Sequence, residues 1–528
     1  MITRGPRSII AGALACTALL FGTVGCSSDD AATDRPTTTV AGTGQDGTGS
    51  TSPGGEERGL PAQRDRQDAP AATVDGELTG GGGAALTDIR DFDLEGNGFV
   101  QHEFAVEGTA TSYVVDDPAT DLPGNGEFNL KEGDTADYRT RIVVRRPEKA
   151  EDFNGTVVLE WLNVSGGIDA NPDWTYLADE IIRGGYAWVG VSAQHIGVEG
   201  GPVAVSVGAA GDLAGKGLKA MVPERYGSLS HPGDAYSFDI YTQVSRALRQ
   251  SDDDGPLGGL KPEVMIAAGE SQSAFALTTY VDGVQPLTQE FDGFFVHSRG
   301  GGAQGLGGAG GGVDIASALG TQPTKIREDV EVPVLMVQSE SDVVGLLNYF
   351  PARQPDTDRI RLWEVAGTAH VDRYMLGAIA DTMQCGAPIN DGPMHWATKA
   401  GLRYLDRWAR GGEAPPEAPR FEVDESGAEP AYVRDENGII KGGIRTPAVD
   451  VPVQIHSGTA SPGGSVACLL MGSSLDVPAP TLDDWYTDED TYLKKYEAST
   501  DDAVDTGFVL ADDRDAMMAD SRVERLKG

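Results

Sequence analysis

The spacing of apolar and polar positions changes character once along this chain. From Phe99 to Val115, in FVQHEFAVEGTATSYVV, large apolar residues alternate with polar ones, and YRTRIVVRRP at 138–147 has the same look. A period of two predicts antiparallel strands with one face on a core. Beyond residue 155 the strands read differently. GTVVLEWLNV, YAWVGVSAQ, EVMIAAG, FDGFFVHSR, VPVLMVQSE and IRLWEVAG are near-continuous apolar runs. Segments of helical length separate or follow them: DWTYLADEIIRGG, AYSFDIYTQVSRALRQ, QSAFALTTYV and HWATKAGLRYLDRWARGG. Strands that are apolar on both faces and alternate with helices predict an α/β fold. Its mostly parallel central sheet is covered by helices on both faces and preceded by antiparallel strands. Asp234 is placed to cap the helix that follows it. Trp161, Trp174 and Trp363 read as core.

Two insertions, at about 195–231 and 300–320, interrupt the alternation. Both are glycine-rich, which suits either a lid over a site or irregular surface. Neither is a phosphate loop, because no Gly-Lys-Ser/Thr ending is present. After residue 413 the segments become short and acidic. Without a long apolar run they read as a C-terminal extension (414–528) packed on a core of 84–413.

The N-terminus belongs to a different class. Arg4 and Arg7 precede an apolar run from Ile9 to Phe21, and small residues lead to Cys26. This is the pattern of a signal peptide, residues 1–25. Gly25-Cys26 closing the run resembles a bacterial lipobox, which implies lipidation of Cys26. Thr23 stands where an aliphatic residue is usual, and plain cleavage to a secreted protein is the alternative. Residues 26–83 are Thr, Gly, Ser, Asp, Pro and Ala with few large apolar side chains, a composition that reads as a disordered tether. The expected location is the outer face of a bacterial cell membrane, reached through the lipid anchor.

Composition narrows the partners. The 528 residues carry a formal charge of −40, which argues against nucleic acid. Of four cysteines, Cys16 and Cys26 belong to the leader. Cys385 and Cys468 remain, and in an oxidising compartment they predict a disulfide that pins the C-terminal region to the main domain. No histidine pair has metal-ligand spacing and no nucleotide loop is present, so no metal and no cofactor is expected.

The chemistry centres on IAAGESQSAFA. Ser271 follows an apolar strand and precedes a helix, the strand-turn-helix setting of a nucleophile elbow. Gly269 supplies one small neighbour, and Ser273 stands where the elbow motif has its second glycine. An acid and a histidine should follow at the ends of later strands. Asp342 ends VPVLMVQSESD, His370 ends LWEVAGTAH, and Glu340 is the competing acid. In this order Ser271 is the nucleophile, His370 the base and Asp342 the residue that orients it. The oxyanion donors expected are the N–H of Gln272 and that of Val164 or Ser165, in a loop whose Gly166 and Gly167 allow close approach to substrate. Arg299 is a candidate for binding a substrate carboxylate, with a salt bridge as the bland alternative. His297 is expected to line or support the site, and His195 and His231 to edge the pocket.

EWLNVSGGIDANPDW, GYAWVGVSAQ, RYGSLSHPGDAYSFDIY, AAGESQSA, VPVLMVQSESDV and VAGTAH together resemble a bacterial family of large α/β-hydrolase-domain proteins, from about residue 90 to 515. The resemblance implies the α/β-hydrolase fold and a serine-hydrolase triad, not a substrate. It sets the nucleophile on Ser271, the histidine on His370 and the acid within 338–343. The expected activity is hydrolysis of a small-molecule or lipid-like carboxylic ester through an acyl-serine. The rivals are acyl transfer by the same triad, and a non-catalytic binding lipoprotein.

Overall fold

The computed structural model describes residues 69–527 apart from 82–84, 87–89, 91, 117–121, 207 and 460–464. The expected signal peptide, the lipidation at Cys26 and most of the expected tether lie outside these residues. Among the described residues, no helix is long and apolar enough to cross a membrane.

Nine strands form one sheet in the order β1-β2-β3-β5-β4-β6-β7-β8-β9. They are β1 (Thr73–Glu77), β2 (Phe99–Val115), β3 (Leu130–Pro147), β4 (Thr156–Trp161), β5 (Ala187–Val191), β6 (Val264–Glu270), β7 (Gly293–His297), β8 (Val334–Gln338) and β9 (Ile360–Glu364). β1, β2 and β3 are antiparallel, and β3 meets β5 antiparallel. From β5 to β9 every neighbouring pair is parallel. This is the mostly parallel α/β sheet expected from the strand pattern, and it agrees with the α/β-hydrolase fold that the resemblance implies. β1 lies inside the stretch whose composition suggested a tether. Its pairing to β2, with Thr73 opposite Glu107, brings the start of the ordered body forward.

The near-continuous apolar runs have a physical reason. Val157, Leu159, Met265, Ala267, Phe294, Val296, Val334 and Met336 enter one core, while Val158, Ile266, Ala268, Phe295, Leu335 and Val337 enter the other. Alternate residues thus go to opposite faces, and both faces are covered, so neither set is polar. Helices α1 (Pro172–Gly184) and α4 (Met394–Ala409) cover one face through Trp174, Ile181, Ala400 and Trp408. Helices α2 (Ser237–Arg249) and α3 (Gln272–Thr279) cover the other through Phe238, Tyr241, Ala274 and Leu277. Trp161, Trp174 and Trp363 are fully buried.

Asp234 does not cap α2. The helix starts at Ser237 without a side-chain cap. The Asp234 carboxylate instead accepts the N–H groups of His195 (2.7 Å) and Val313 (2.8 Å), tying the two insertions together. The first insertion is anchored further by Tyr226, whose hydroxyl donates to Glu103 at 2.8 Å. Glu103 also accepts from buried Arg141 at 2.9 Å. The C-terminal extension builds a small cluster of its own, including Val453, Leu482, Tyr492 and Met517, which packs against Trp396 of α4. Cys385 and Cys468 form a disulfide with Cα atoms 5.3 Å apart, joining the extension to the segment after β9.

Candidate active site

Three strand ends meet at the carboxyl edge of the parallel sheet. β6 ends at Glu270, and the chain turns sharply at Ser271 before α3 begins. Ser271 has φ 58° and ψ −118°, a left-handed conformation that strains a residue with a Cβ. Such strain costs on the order of 1–3 kcal/mol and persists only where the surroundings hold it. Here the Ser271 N–H donates to His297 O at 3.0 Å, and its carbonyl accepts the Phe275 N–H at 3.1 Å. The tight turn demands small neighbours. A Cβ on Gly269 would lie 3.0 Å from the Ser273 Cβ and from Leu277 Cδ1. Ser273 is fully buried, so the space where the motif has glycine just holds a serine.

The loop after β9 brings His370 to this turn. Its Nε2 is 2.7 Å from Ser271 Oγ, and its Nδ1 is 2.7 Å from Asp342 Oδ1. A carboxylate only accepts, so the imidazole proton sits on Nδ1 and leaves Nε2 free to accept from the serine hydroxyl. The other Asp342 oxygen accepts the Ser339 N–H at 2.6 Å, which fixes the carboxylate in rotation. Burial alone would lower the His370 pKa. The carboxylates of Glu270 and Asp342 outweigh it and hold the pKa above the usual histidine value.

Glu340 faces elsewhere. It accepts from Arg434 at 2.8 Å and from the Gly367 N–H at 2.7 Å, fastening the C-terminal extension to the loop after β9. Its position two residues before Asp342 puts it on the opposite side of the short helix Glu340–Val343 from the imidazole's partner.

The structure brings Gln272, Val164 and Ser165 to the same edge, because β4 lies directly beside β6. Gln272 is the first residue of α3, so its N–H is one of those a helix leaves without an internal partner. The Ser165 N–H is occupied, donating to Asn163 Oδ1 at 2.8 Å. Of the two donors expected from this loop, Ser165 is thus already engaged. Asn163 Nδ2 donates across to Glu270 O at 3.0 Å, stapling the loop to the elbow. Gly167 is at φ +76°, and its N–H closes a turn onto Val164 O at 2.9 Å. A Cβ there would meet Gly215 N at 2.5 Å, so glycine is required. At Gly166 a Cβ would meet nothing within 4 Å.

Arg299 is turned into the protein. Its guanidinium is fully buried and donates to the carbonyls of Gly300 and Thr324, and it is held among them by burial that also lowers its pKa. It shapes the second insertion. His297 is buried too, with Nδ1 2.9 Å from Asp173 Oδ1. Burial drives its pKa down to about 4, so it is neutral at pH 7 and supports the elbow from behind. His195 and His231 pack against each other edge to face, ring centres 6.0 Å apart, and His231 Nε2 contacts Ala193 O.

Three residues of the site escaped the sequence reading. Glu160 accepts the N–H groups of Asp173 (3.0 Å) and Trp174 (2.8 Å), anchoring the start of α1. Burial raises the pKa of Glu160 and of Asp173 well above the usual carboxylate range. Glu270 is buried beside the triad, and burial raises it to about 7. The only signal was a run of acids at the ends of apolar strands and helices, where a merely solvated charge has no place. An apolar cluster adjoins the elements that carry the site, since Phe275 lies four residues past Ser271 in α3 and Val371 follows His370. Val205, Phe275, Ala318, Leu347, Val371 and Leu470 form one cluster drawn from both insertions, α3, the Asp342 and His370 loops and the C-terminal extension.

The model of a family described as an alpha/beta hydrolase domain matches residues 64–519. No curated protein matches the chain. Among solved structures the chain is similar to an α/β serine hydrolase without lid from Xanthomonas campestris. The identity is 13%, the TM-score 0.29, and the match covers 51% of this chain and 89% of that one. It is also similar to a fungal esterase from Rhizomucor miehei, at 11% identity and a TM-score of 0.30, over 58% of this chain and 85% of that one. Est1E from Butyrivibrio proteoclasticus matches at 9% identity and a TM-score of 0.26, over 52% and 97%.

Proposed function

The chain belongs to the alpha/beta hydrolase domain family, and on that premise we propose that it cleaves a carboxylic ester through an acyl-Ser271 intermediate. The observation that carries this reading is the unbroken relay from Ser271 Oγ through His370 to Asp342, with both contacts at 2.7 Å. A serine hydroxyl is inert at its own pKa and needs such a base within hydrogen-bond reach. Ser271 Oγ attacks the ester carbonyl carbon while its proton passes to His370 Nε2. The carbonyl oxygen takes the negative charge and is held by the N–H groups of Gln272 and Val164. Collapse breaks the bond to the alcohol oxygen, which leaves with the proton from Nε2. Water then attacks the acyl-serine by the same steps, and Asp342 balances the imidazolium each time.

The apolar cluster that includes Phe275 and Val371, near Ser271 and His370 along the chain, supports an uncharged acyl group as the recognised part of the substrate. The apolar run from Ile9 to Phe21 and Gly25-Cys26 support export and a lipid anchor on Cys26, which would present the site to lipid-like esters outside the membrane. The test is turnover of neutral esters of graded acyl length by the full chain, with intact-mass detection of an acyl adduct. An adduct on the peptide containing Ser271, lost in Ser271→Ala, is the expected result. Turnover that survives Ser271→Ala, or no turnover and no adduct across the series, contradicts the reading.

A further inference from the structure

One buried group beside the relay is left over by the mechanism above. Glu270 ends β6 and directly precedes Ser271, and it is 4% exposed. Its Oε2 is 3.4 Å from Asn163 Nδ2. Its Oε1 has no hydrogen-bond partner among the described residues, yet lies 3.3 Å from His370 Nε2. A buried carboxylate oxygen left unpaired is costly, and this one faces the nitrogen that must handle the reacting proton.

We propose that Glu270 is a positioning residue for deacylation: its Oε1 accepts one hydrogen of the attacking water, so the acyl group passes to water in preference to an alcohol. This rests on the acyl-Ser271 reading above. Once Ser271 Oγ is esterified, it no longer gives Nε2 a proton. A water that replaces it must donate one hydrogen to Nε2 and has a second to place. Oε1 is the free acceptor within reach. The water oxygen then attacks the acyl carbonyl carbon, and its first proton goes to Nε2. The tetrahedral oxyanion collapses and breaks the bond to Oγ, which recovers that proton from Nε2. The second hydrogen stays on the new carboxylic acid until it ionises. An alcohol has one hydroxyl hydrogen, which Nε2 needs, so it cannot satisfy Oε1 and leaves a buried carboxylate oxygen unpaired. Glu270 therefore discriminates against alcohols by chemistry, not by size.

The groups that face this pair are Asp342 after β8, His297 at the end of β7, and Asp173 and Tyr176 on α1. Burial holds His297 neutral, so it offers Glu270 no countercharge, and burial raises Asp173, which weakens its repulsion of Glu270. His370 is the cation that Glu270 meets when the base is protonated.

The test uses the full chain, a p-nitrophenyl ester and added methanol, at a pH above the Glu270 value. Released nitrophenol counts acylation, and the ratio of methyl ester to free acid counts the partition of the acyl group. In Glu270→Gln, Asn163 Nδ2 holds the amide oxygen and turns the NH2 group toward Nε2, where it cannot accept from water. The partition is expected to move toward the methyl ester by about tenfold, the worth of one hydrogen bond to a charged group. The acid limb of kcat is expected to move about one pH unit lower, because removing a neighbouring carboxylate lowers the His370 pKa. Glu270→Ala, which removes both oxygens, should shift both readouts in the same direction. Fluorophosphonate labelling of Ser271 should persist in both variants. Labelled variants with unchanged partition and unchanged pH limb overturn the role of Glu270 alone. A wild type that neither labels nor turns over ester overturns it together with the esterase reading.

Discussion

Asp342→Asn separates orientation from mere packing, and the structure dictates which way the new amide turns. Asp342 Oδ2 accepts the buried Ser339 N–H at 2.6 Å, and Oδ1 accepts His370 Nδ1–H at 2.7 Å. In asparagine only one of these atoms remains an acceptor. The Ser339 N–H is fixed backbone and has no alternative partner, so the amide oxygen goes there. The NH2 group then faces His370 Nδ1. A donor opposite Nδ1 strips its proton and moves it to Nε2, where the neutral ring can no longer accept from Ser271. The side chain's volume and the helix turn it supports are unchanged, so stability should fall by no more than about 1 kcal/mol. The wrong tautomer should lower kcat by about 10³–10⁴, as it does in serine proteases, or about 4–5 kcal/mol of transition-state stabilisation. The assay is ester turnover with a thermal melt on the same samples. Glu340→Gln is the control. Glu340 holds Arg434 and the Gly367 N–H, so its loss should cost stability, about 1–3 kcal/mol, while kcat stays within about tenfold. A folded Asp342→Asn that keeps kcat within tenfold of wild type refutes the argument. So does a Glu340→Gln that remains as stable as wild type but loses activity on the scale expected for Asp342.

Four further outcomes are expected. Activity should rise with pH through a His370 pKa above 6.5, because the base must be neutral and the carboxylates of Glu270 and Asp342 hold it charged to higher pH; a kcat/KM profile reads this directly. Gly269→Ala should destabilise by about 1–3 kcal/mol, because the added methyl presses on the Ser273 Cβ and Leu277 at 3.0 Å; a melting curve measures it. Cys468→Ser should lower stability by about 2–5 kcal/mol, since the bridge spans 83 residues, and reductant should do the same to wild type in denaturant titrations. Arg299→Met should lower stability by freeing the carbonyls of Gly300 and Thr324, while the preference between charged and neutral esters stays as in wild type.

What the sequence carried was local or ordinal. The parallel strands were legible because a strand buried on both faces has to be apolar at every position, as Met265 to Ala268 are. Ser271, Asp342 and His370 were legible because each follows the end of a strand and their order along the chain matches the order of those strands in the sheet. The roles of neighbours were not legible, because they depend on which strands lie side by side. Nothing near residue 163 reveals that β4 pairs with β6, so the staple from Asn163 to Glu270 and the occupied N–H of Ser165 were out of reach. Arg299 looks like a ligand-binding cation in sequence, and only the path of the second insertion around it turns it inward. Asp234 sits where a cap belongs, yet two insertion backbones compete for its carboxylate and win. β1 was hidden because a strand of TVDGE has no apolar periodicity and owes its form to the partner it pairs with.

The most direct measurement is fluorophosphonate labelling of the full chain, with the modified peptide identified by mass and wild type compared with Ser271→Ala and His370→Ala. An activated serine gives one adduct, on the peptide containing Ser271, and both substitutions abolish it. A folded wild type that stays unlabelled, or an adduct that maps to another serine, would contradict the claim that the relay of Ser271, His370 and Asp342 is a working nucleophile.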